Sequence, residues 1–121
     1  MKSSHPSSDF KRLRDALRDF AAERDWEQFH TPRNLAMAVS VEAAELLERF
    51  QWLSEAQSQS LSGDDLDRVR EELADVLLYL VRLADVLGVD LEAAADAKLV
   101  LNAAKYPVEL ARGNARKYDE R

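Results

Sequence analysis

Only three glycines and three prolines interrupt the 121 residues. So few turn formers leave little room for a succession of short strands and favour a few long helices. The apolar pattern agrees. Phe10, Leu13, Leu17, Phe20 and Ala21 recur at three- and four-residue intervals and predict an amphipathic helix to about Arg24, capped by Ser7 or Ser8. Residues 25–31 read as a connection. Thr31-Pro32 marks a second start, with Thr as N-cap and Pro in the first helical position, and this helix is expected to reach about Trp52. The Ser- and Gln-rich stretch 54–63 reads as a loop ending in Gly63. A third helix begins near Asp64 and stops at Gly88. Asp90 caps a fourth, from Leu91 to about Lys105, which Tyr106-Pro107 terminates. The expected architecture is all-α, a four-helix bundle. Its helical domain spans residues 8–107, between a disordered segment 1–7 and a charged tail 108–121.

Composition removes several kinds of function. The net charge of −6 disfavours nucleic acid as a partner, because phosphate backbones call for a basic face. An acidic protein can still bind a polyanion if a metal ion brings the positive charge. Cysteine is absent, which excludes disulfides, zinc–thiolate sites and thiol nucleophiles. No apolar run approaches the roughly 18 residues of a membrane span. The first residues lack the apolar core of a secretory signal, so a cytoplasmic protein is expected.

Chemistry concentrates in two acidic pairs, Glu42-Ala43-Ala44-Glu45 and Glu72-Leu73-Ala74-Asp75, on the second and third predicted helices. A spacing of i,i+3 puts both members of a pair on one helix face. If the two helices are neighbours, four carboxylates converge on a site suited to a hard cation, Mg²⁺ or Mn²⁺. The plainer alternative is a solvated face. On the third helix Leu73, Val76, Leu77, Leu80 and Ala84 form an apolar stripe, and Glu72, Asp75, Tyr79 and Arg82 lie opposite it, as on a surface helix. Glu42 resists that alternative, because it shares a sector with Leu35, Ala38, Val39 and Leu46. A carboxylate placed there needs a cation, a water or an Arg partner, and Arg49, one turn beyond Glu45, is available. A di-iron carboxylate site is excluded, because it needs a Glu-x-x-His pair on each of two helices and the sequence offers only one, Glu27 with His30, while His5 follows no Glu.

Other residues also read two ways. Trp26 and Trp52 serve either as packing or as stacking surfaces. Trp52 lies seven residues beyond Glu45, two helical turns along the same face. His30 precedes a helix N-terminus, where it is a surface residue or a ligand donor. Tyr79 is one turn beyond Asp75. Arg33, Lys105, Arg116 and Lys117 are solvated charges by default, with Lys105, near Asn102, the best phosphate candidate. Leu77, Leu78, Leu80 and Val81 spread apolar surface over a broad arc of the third helix. That arc is sufficient for a non-catalytic helical interaction module with salt-bridged carboxylates.

Five blocks in order resemble a known family: residues 26–35, Glu42 to Leu46, Phe50-Gln51-Trp52, residues 71–80 and Asn102 to Pro107, followed by Arg112 and Ala115-Arg116-Lys117-Tyr118. Together they resemble the dCTP pyrophosphatase branch of the MazG-like all-α pyrophosphohydrolases, whose signature is Glu-x-x-Glu, a spacer, then Glu-x-x-Asp. The resemblance implies a MazG-like bundle working as a homo-oligomer, expected as a tetramer. It implies hydrolysis of a nucleoside triphosphate, foremost dCTP or a modified dCTP, to the monophosphate and pyrophosphate. Mg²⁺ would be held by Glu42, Glu45, Glu72 and Asp75, which are also the catalytic residues. Trp26, His30, Trp52 and Tyr79 would contact base and sugar. Lys98, Asn102, Lys105 and Tyr106 would lie near the nucleotide or its phosphates. Arg116 and Lys117 would reach a phosphate from a neighbouring subunit. Two positions that are often Gly in the family are Ser40 and Ala44 here, and the loop 54–63 is shorter than expected and differs in sequence.

Overall fold

The computed structural model describes residues 9–117, and the predicted segment 1–7, the caps Ser7 and Ser8, and Tyr118 lie outside the described residues. Within these limits the regular structure is helical: α1 (Asp9–Glu23), a 3-10 turn (Glu27–Phe29), α2 (Pro32–Glu48), α3 (Glu55–Ser58), α4 (Gly63–Leu87), α5 (Leu91–Lys105) and α6 (Val108–Ala111). The four long helices are those the periodicity predicts. No helix among the described residues is long and apolar enough to cross a membrane.

The helix boundaries follow from local chemistry. Thr31 Oγ1 accepts from the Asn34 N–H at 3.2 Å with Pro32 opening the helix, and Asp90 Oδ1 accepts from the Ala93 N–H at 3.0 Å. Each bond satisfies an amide that the first turn leaves without a partner. At the end of α4, Gly88 adopts φ +72°, and the Val89 N–H reaches back to the Ala84 carbonyl at 2.8 Å. That left-handed closure is favourable for glycine.

Two expectations are corrected here. Helix α2 ends at Glu48, not near Trp52, because the chain tightens into successive turns: Arg49 N–H to Leu46 O, Phe50 N–H to Leu47 O, and Leu53 N–H to Phe50 O. Trp52 therefore does not continue the face of Glu45. The predicted loop 54–63 contains the short helix α3, started by a capping box in which Ser54 and Gln57 bond each other's backbone amides. After Pro107, α6 forms a further helical turn.

The chain divides into two compact units, one ending at Val89 and the other beginning at Asp90. In the first, α1 and α2 both pack on α4. Its core joins Ala21 of α1, Leu35 of α2, and Val69, Val81 and Ala84 of α4; Leu35 is only 2% exposed. Burying a leucine to that extent contributes about 1.5–3 kcal/mol. This packing makes α2 and α4 neighbours, so it sets the two acidic pairs against each other. In the second unit, α5 carries Lys98 and Asn102 one turn apart, with Lys105 and Tyr106 at its end.

The orientation of α4 departs from the surface-helix alternative: Ala84 of the apolar stripe joins the core, but the polar stripe is packed as well. Glu72 and Arg82, expected on the solvent side, are both 8% exposed, while Leu73 of the apolar stripe is 54% exposed. Leu80 and Leu87 also face outward. The polar stripe of α4 thus lines the groove between helices, and part of the apolar stripe is left uncovered.

Candidate active site

Three of the four predicted ligands converge. Carboxylate oxygens of Glu42, Glu45 and Glu72 all lie within 4.8 Å of one another, with Glu72 buried and the other two partly buried. Crowding of this kind penalises ionisation. The Glu42 carboxyl is pushed up to about 7, first by a hydrogen bond shared with Glu45, then by burial and by the charges of Glu45, Asp75 and Glu72. Glu72 is also raised, by burial first and then by Glu45, against the opposing charge of Arg49. Asp75 stands outside the tight trio, but its charge is felt at Glu42.

Arg49 does find a carboxylate, although across the helix pair and not on its own helix: its Nη2 is 3.6 Å from Glu72 Oε1. One guanidinium does not neutralise three carboxylates. Glu42 Oε2 and Glu72 Oε2 remain buried with no hydrogen-bond partner. Buried acceptors of that kind require an explanation, and a bound cation supplies one. An all-oxygen donor set with two such orphaned atoms fits a hard divalent ion.

Beside the trio lies a cavity of about 310 Å³, lined by Leu17, Phe20, Trp26, His30, Asp75, Leu78, Tyr79 and Arg82. Its walls come from α1, the turn after it, and α4. Asp25 takes a left-handed φ of +54° after α1, and Gln28 Nε2 donates to its carbonyl at 3.0 Å and to its carboxylate at 3.1 Å. The Trp26 N–H then bonds the Ala21 carbonyl at 2.9 Å. Trp26 is thereby held edge-on to Phe20 (centroids 5.7 Å apart) and to His30 (6.4 Å). Asn34 Nδ2 donates to the Phe29 carbonyl at 3.0 Å, tying this turn to the start of α2. Trp26 remains 44% exposed, so an aromatic surface is left open beside the carboxylates.

The predicted contacts Trp26, His30 and Tyr79 thus share one cavity with Asp75. Trp52 does not line it and is 86% exposed. Lys98, Asn102, Lys105 and Tyr106 belong to the second unit, as do the exposed Arg116 and Lys117. Sequence reasoning missed Leu17, Phe20, Leu78 and Arg82 as cavity residues. For Arg82 a signal existed: it follows Asp75 by seven residues and Tyr79 by three, on the same helical face.

Comparisons with known proteins point the same way. The sequence profile of the MazG-like family matches residues 37–120. The rat protein dCTP pyrophosphatase 1 is 46% identical over 120 residues, 98% of this chain and 71% of that protein. The human dCTP pyrophosphatase 1 is 45% identical over the same shares. Among solved structures, a pyrophosphatase from Archaeoglobus fulgidus superimposes with a TM-score of 0.75 at 40% identity, covering 88% of this chain and 99% of that one.

Proposed function

The chain belongs to the MazG-like family, and we propose that it is a pyrophosphohydrolase converting dCTP, or a dCTP with a modified base, to the monophosphate and pyrophosphate. One observation carries this reading. Asp75 belongs both to the electrostatic neighbourhood of the carboxylate trio and to the wall of a nucleoside-sized aromatic cavity. A bound nucleotide can therefore put its phosphates at the carboxylates and its base among Phe20, Trp26 and His30.

Glu42, Glu45, Glu72 and Asp75 would hold Mg²⁺, with Mn²⁺ as an alternative. When bound, the ion neutralises the carboxylates and polarises the phosphoryl oxygens, so that a triphosphate is attracted where it would otherwise be repelled. Water attacks the α-phosphorus, the bond to the bridging oxygen breaks, and pyrophosphate departs. A carboxylate of Glu42 or Glu45 accepts the proton of that water. Trp26 offers the base a π-face, and Tyr79 sits between base and phosphate ends. On the family resemblance, Trp52, Lys98, Asn102, Lys105 and Tyr106 are proposed as further nucleotide contacts, and Arg116 and Lys117 as phosphate contacts supplied by a neighbouring subunit.

The uncovered apolar side chains support a homo-oligomer, expected as a tetramer: Met37, Val41 and Leu47 on α2, and Leu73 on α4, are all more than half exposed. Exposed Trp52 then meets substrate or a neighbouring subunit. The partner is a free nucleotide in the cytoplasm and not a nucleic acid, consistent with the net charge of −6.

The substrate is tested by a panel of ribo- and deoxynucleoside triphosphates with Mg²⁺, following monophosphate and pyrophosphate together. The highest kcat/KM is expected for dCTP and 5-substituted dCTP. A different nucleotide in the lead would keep the reaction and replace the substrate; release of orthophosphate instead of pyrophosphate would overturn the reaction.

A further inference from the structure

At the end of the cavity away from the carboxylates, four charged or polar side chains form a continuous hydrogen-bonded chain. Arg18 of α1 grips Asp85 of α4 through Nε at 2.7 Å and Nη2 at 2.5 Å. Asp85 accepts from Arg82 Nη1 at 3.4 Å, and Arg82 Nε donates to His30 Nδ1 at 3.0 Å. The chain ties α1, α4 and the turn preceding α2 together across 67 and 52 residues of sequence separation. The bidentate grip of Arg18 holds the Asp85 carboxyl well below its usual range, so Asp85 remains an anion that anchors Arg82.

The direction of the last bond is not free. A guanidinium has only donors, so Nδ1 of His30 must present its lone pair. A neutral imidazole whose Nδ1 is a lone pair carries its proton on Nε2. A doubly protonated ring could not accept from Arg82 at all. Burial and the nearby Arg82 charge both lower the His30 pKa, which agrees with a neutral ring.

We propose that Arg82, anchored by Asp85 and Arg18, is a positioning residue that locks His30 as the Nε2–H tautomer, making it a hydrogen-bond donor of fixed polarity toward an acceptor on the nucleobase. The placement suits that role. Asp75, Tyr79 and Arg82 follow one another along α4 in the cavity wall, and seven residues of helix span roughly 10 Å. With phosphates at the Asp75 end, the base lies at the His30–Arg82 end. Cytosine presents two acceptors there, O2 and N3, which a fixed donor can satisfy. This inference rests on the reading that the cavity takes the base, but its first test does not.

The chain has only two histidines, His5 and His30, so ¹⁵N-histidine spectra of the full Mg²⁺-loaded protein are assignable with one variant, His5→Gln. The expected spectrum at pH 7 shows His30 with an unprotonated Nδ1 and a protonated Nε2. A protonated Nδ1 overturns the proposal whether or not the protein hydrolyses dCTP; absence of turnover of every nucleoside triphosphate in the panel beside the expected tautomer overturns the enzymatic reading instead. The second test is kinetic. Arg82→Met is expected to raise KM for dCTP about three- to tenfold, more than it lowers kcat, as for loss of one hydrogen bond. Arg82→Lys, which keeps a donor, is expected to restore most of that loss. In a His30→Ala background, Arg82→Met is expected to add nothing. Additive effects of the two substitutions would mean that Arg82 acts on the ligand directly and would also overturn the proposal. If Arg82→Met does not fold, the wild-type spectrum alone decides.

Discussion

Glu42→Gln is expected to lower dCTP hydrolysis by about three orders of magnitude or more and, in the metal-free protein at pH 8, to raise the melting temperature. The two effects have one cause. Ionised Glu42 sits among Glu45, Glu72 and Asp75, and the folded state resists its charge, holding its pKa up to about 7. Removing that charge relieves the folded protein, and a gain of a few degrees is expected for a chain of this size. The same charge is what a divalent cation requires of the site, and metal-assisted stabilisation of a phosphoryl transition state is worth several kcal/mol, or a factor of about 10³. A salt-bridged structural role gives the opposite pair of results: activity kept or never present, and stability lost. Circular dichroism alongside the kinetics distinguishes a lost site from a lost fold.

Mg²⁺ is expected to raise the melting temperature substantially at pH 8 and little at pH 5. An ion that binds only the folded state at 100 times its dissociation constant adds about 2.7 kcal/mol, on the order of 10 °C here. The pH dependence follows from the signs of the shifts. Glu42 has a folded pKa near 7 against an ordinary value of 4.5, and Glu72 is displaced in the same direction. Between those values the folded state holds more protons than the unfolded one, so stability falls as pH rises through that window. Metal-free protein should therefore melt progressively lower from pH 5 to pH 7.5. Protein saturated with Mg²⁺ should lose much less over that range, because the cation replaces the protons. Asp85 works the other way, since Arg18 lowers its pKa, but its contribution is lost only as pH falls through the acidic range below this window. Thermal melts at four pH values, with Mg²⁺ and with chelator, check both statements. Identical curves with and without the ion would contradict a metal site.

Much of this was legible in the chain itself, for reasons that can be located. Thr31-Pro32, Asp90, Gly88 and Tyr106-Pro107 each act within a few residues, so the starts of α2 and α5 and the ends of α4 and α5 could be read directly. The end of α2 could not, because no Gly or Pro marks it and three-residue turns replace helical bonds without a sequence signal. The short α3 had a signal, the Ser54 and Gln57 capping box, which a composition of Ser and Gln obscured.

The site itself was half legible. Spacing of i,i+3 places Glu42 with Glu45, and Glu72 with Asp75, but only the packing of α2 on α4 brings the pairs together. Periodicity divides α4 into two faces and is silent on how each is packed; the buried Glu72, Arg82 and Ala84 beside the exposed Leu73 show that both faces are packed in part. The Arg18–Asp85–Arg82–His30 chain has no local sequence signature, because its members meet only after α1 and α4 have packed.

The most direct measurement is pyrophosphate release from dCTP by the purified protein as Mg²⁺ is titrated in, and again after chelation. Turnover should be absent in chelator, rise saturably with Mg²⁺, and return when the ion is restored, with one monophosphate formed per pyrophosphate. Hydrolysis undiminished by chelator would mean that the carboxylate trio is not the metal centre of this enzyme, and that Glu42, Glu45 and Glu72 are crowded together for some other purpose.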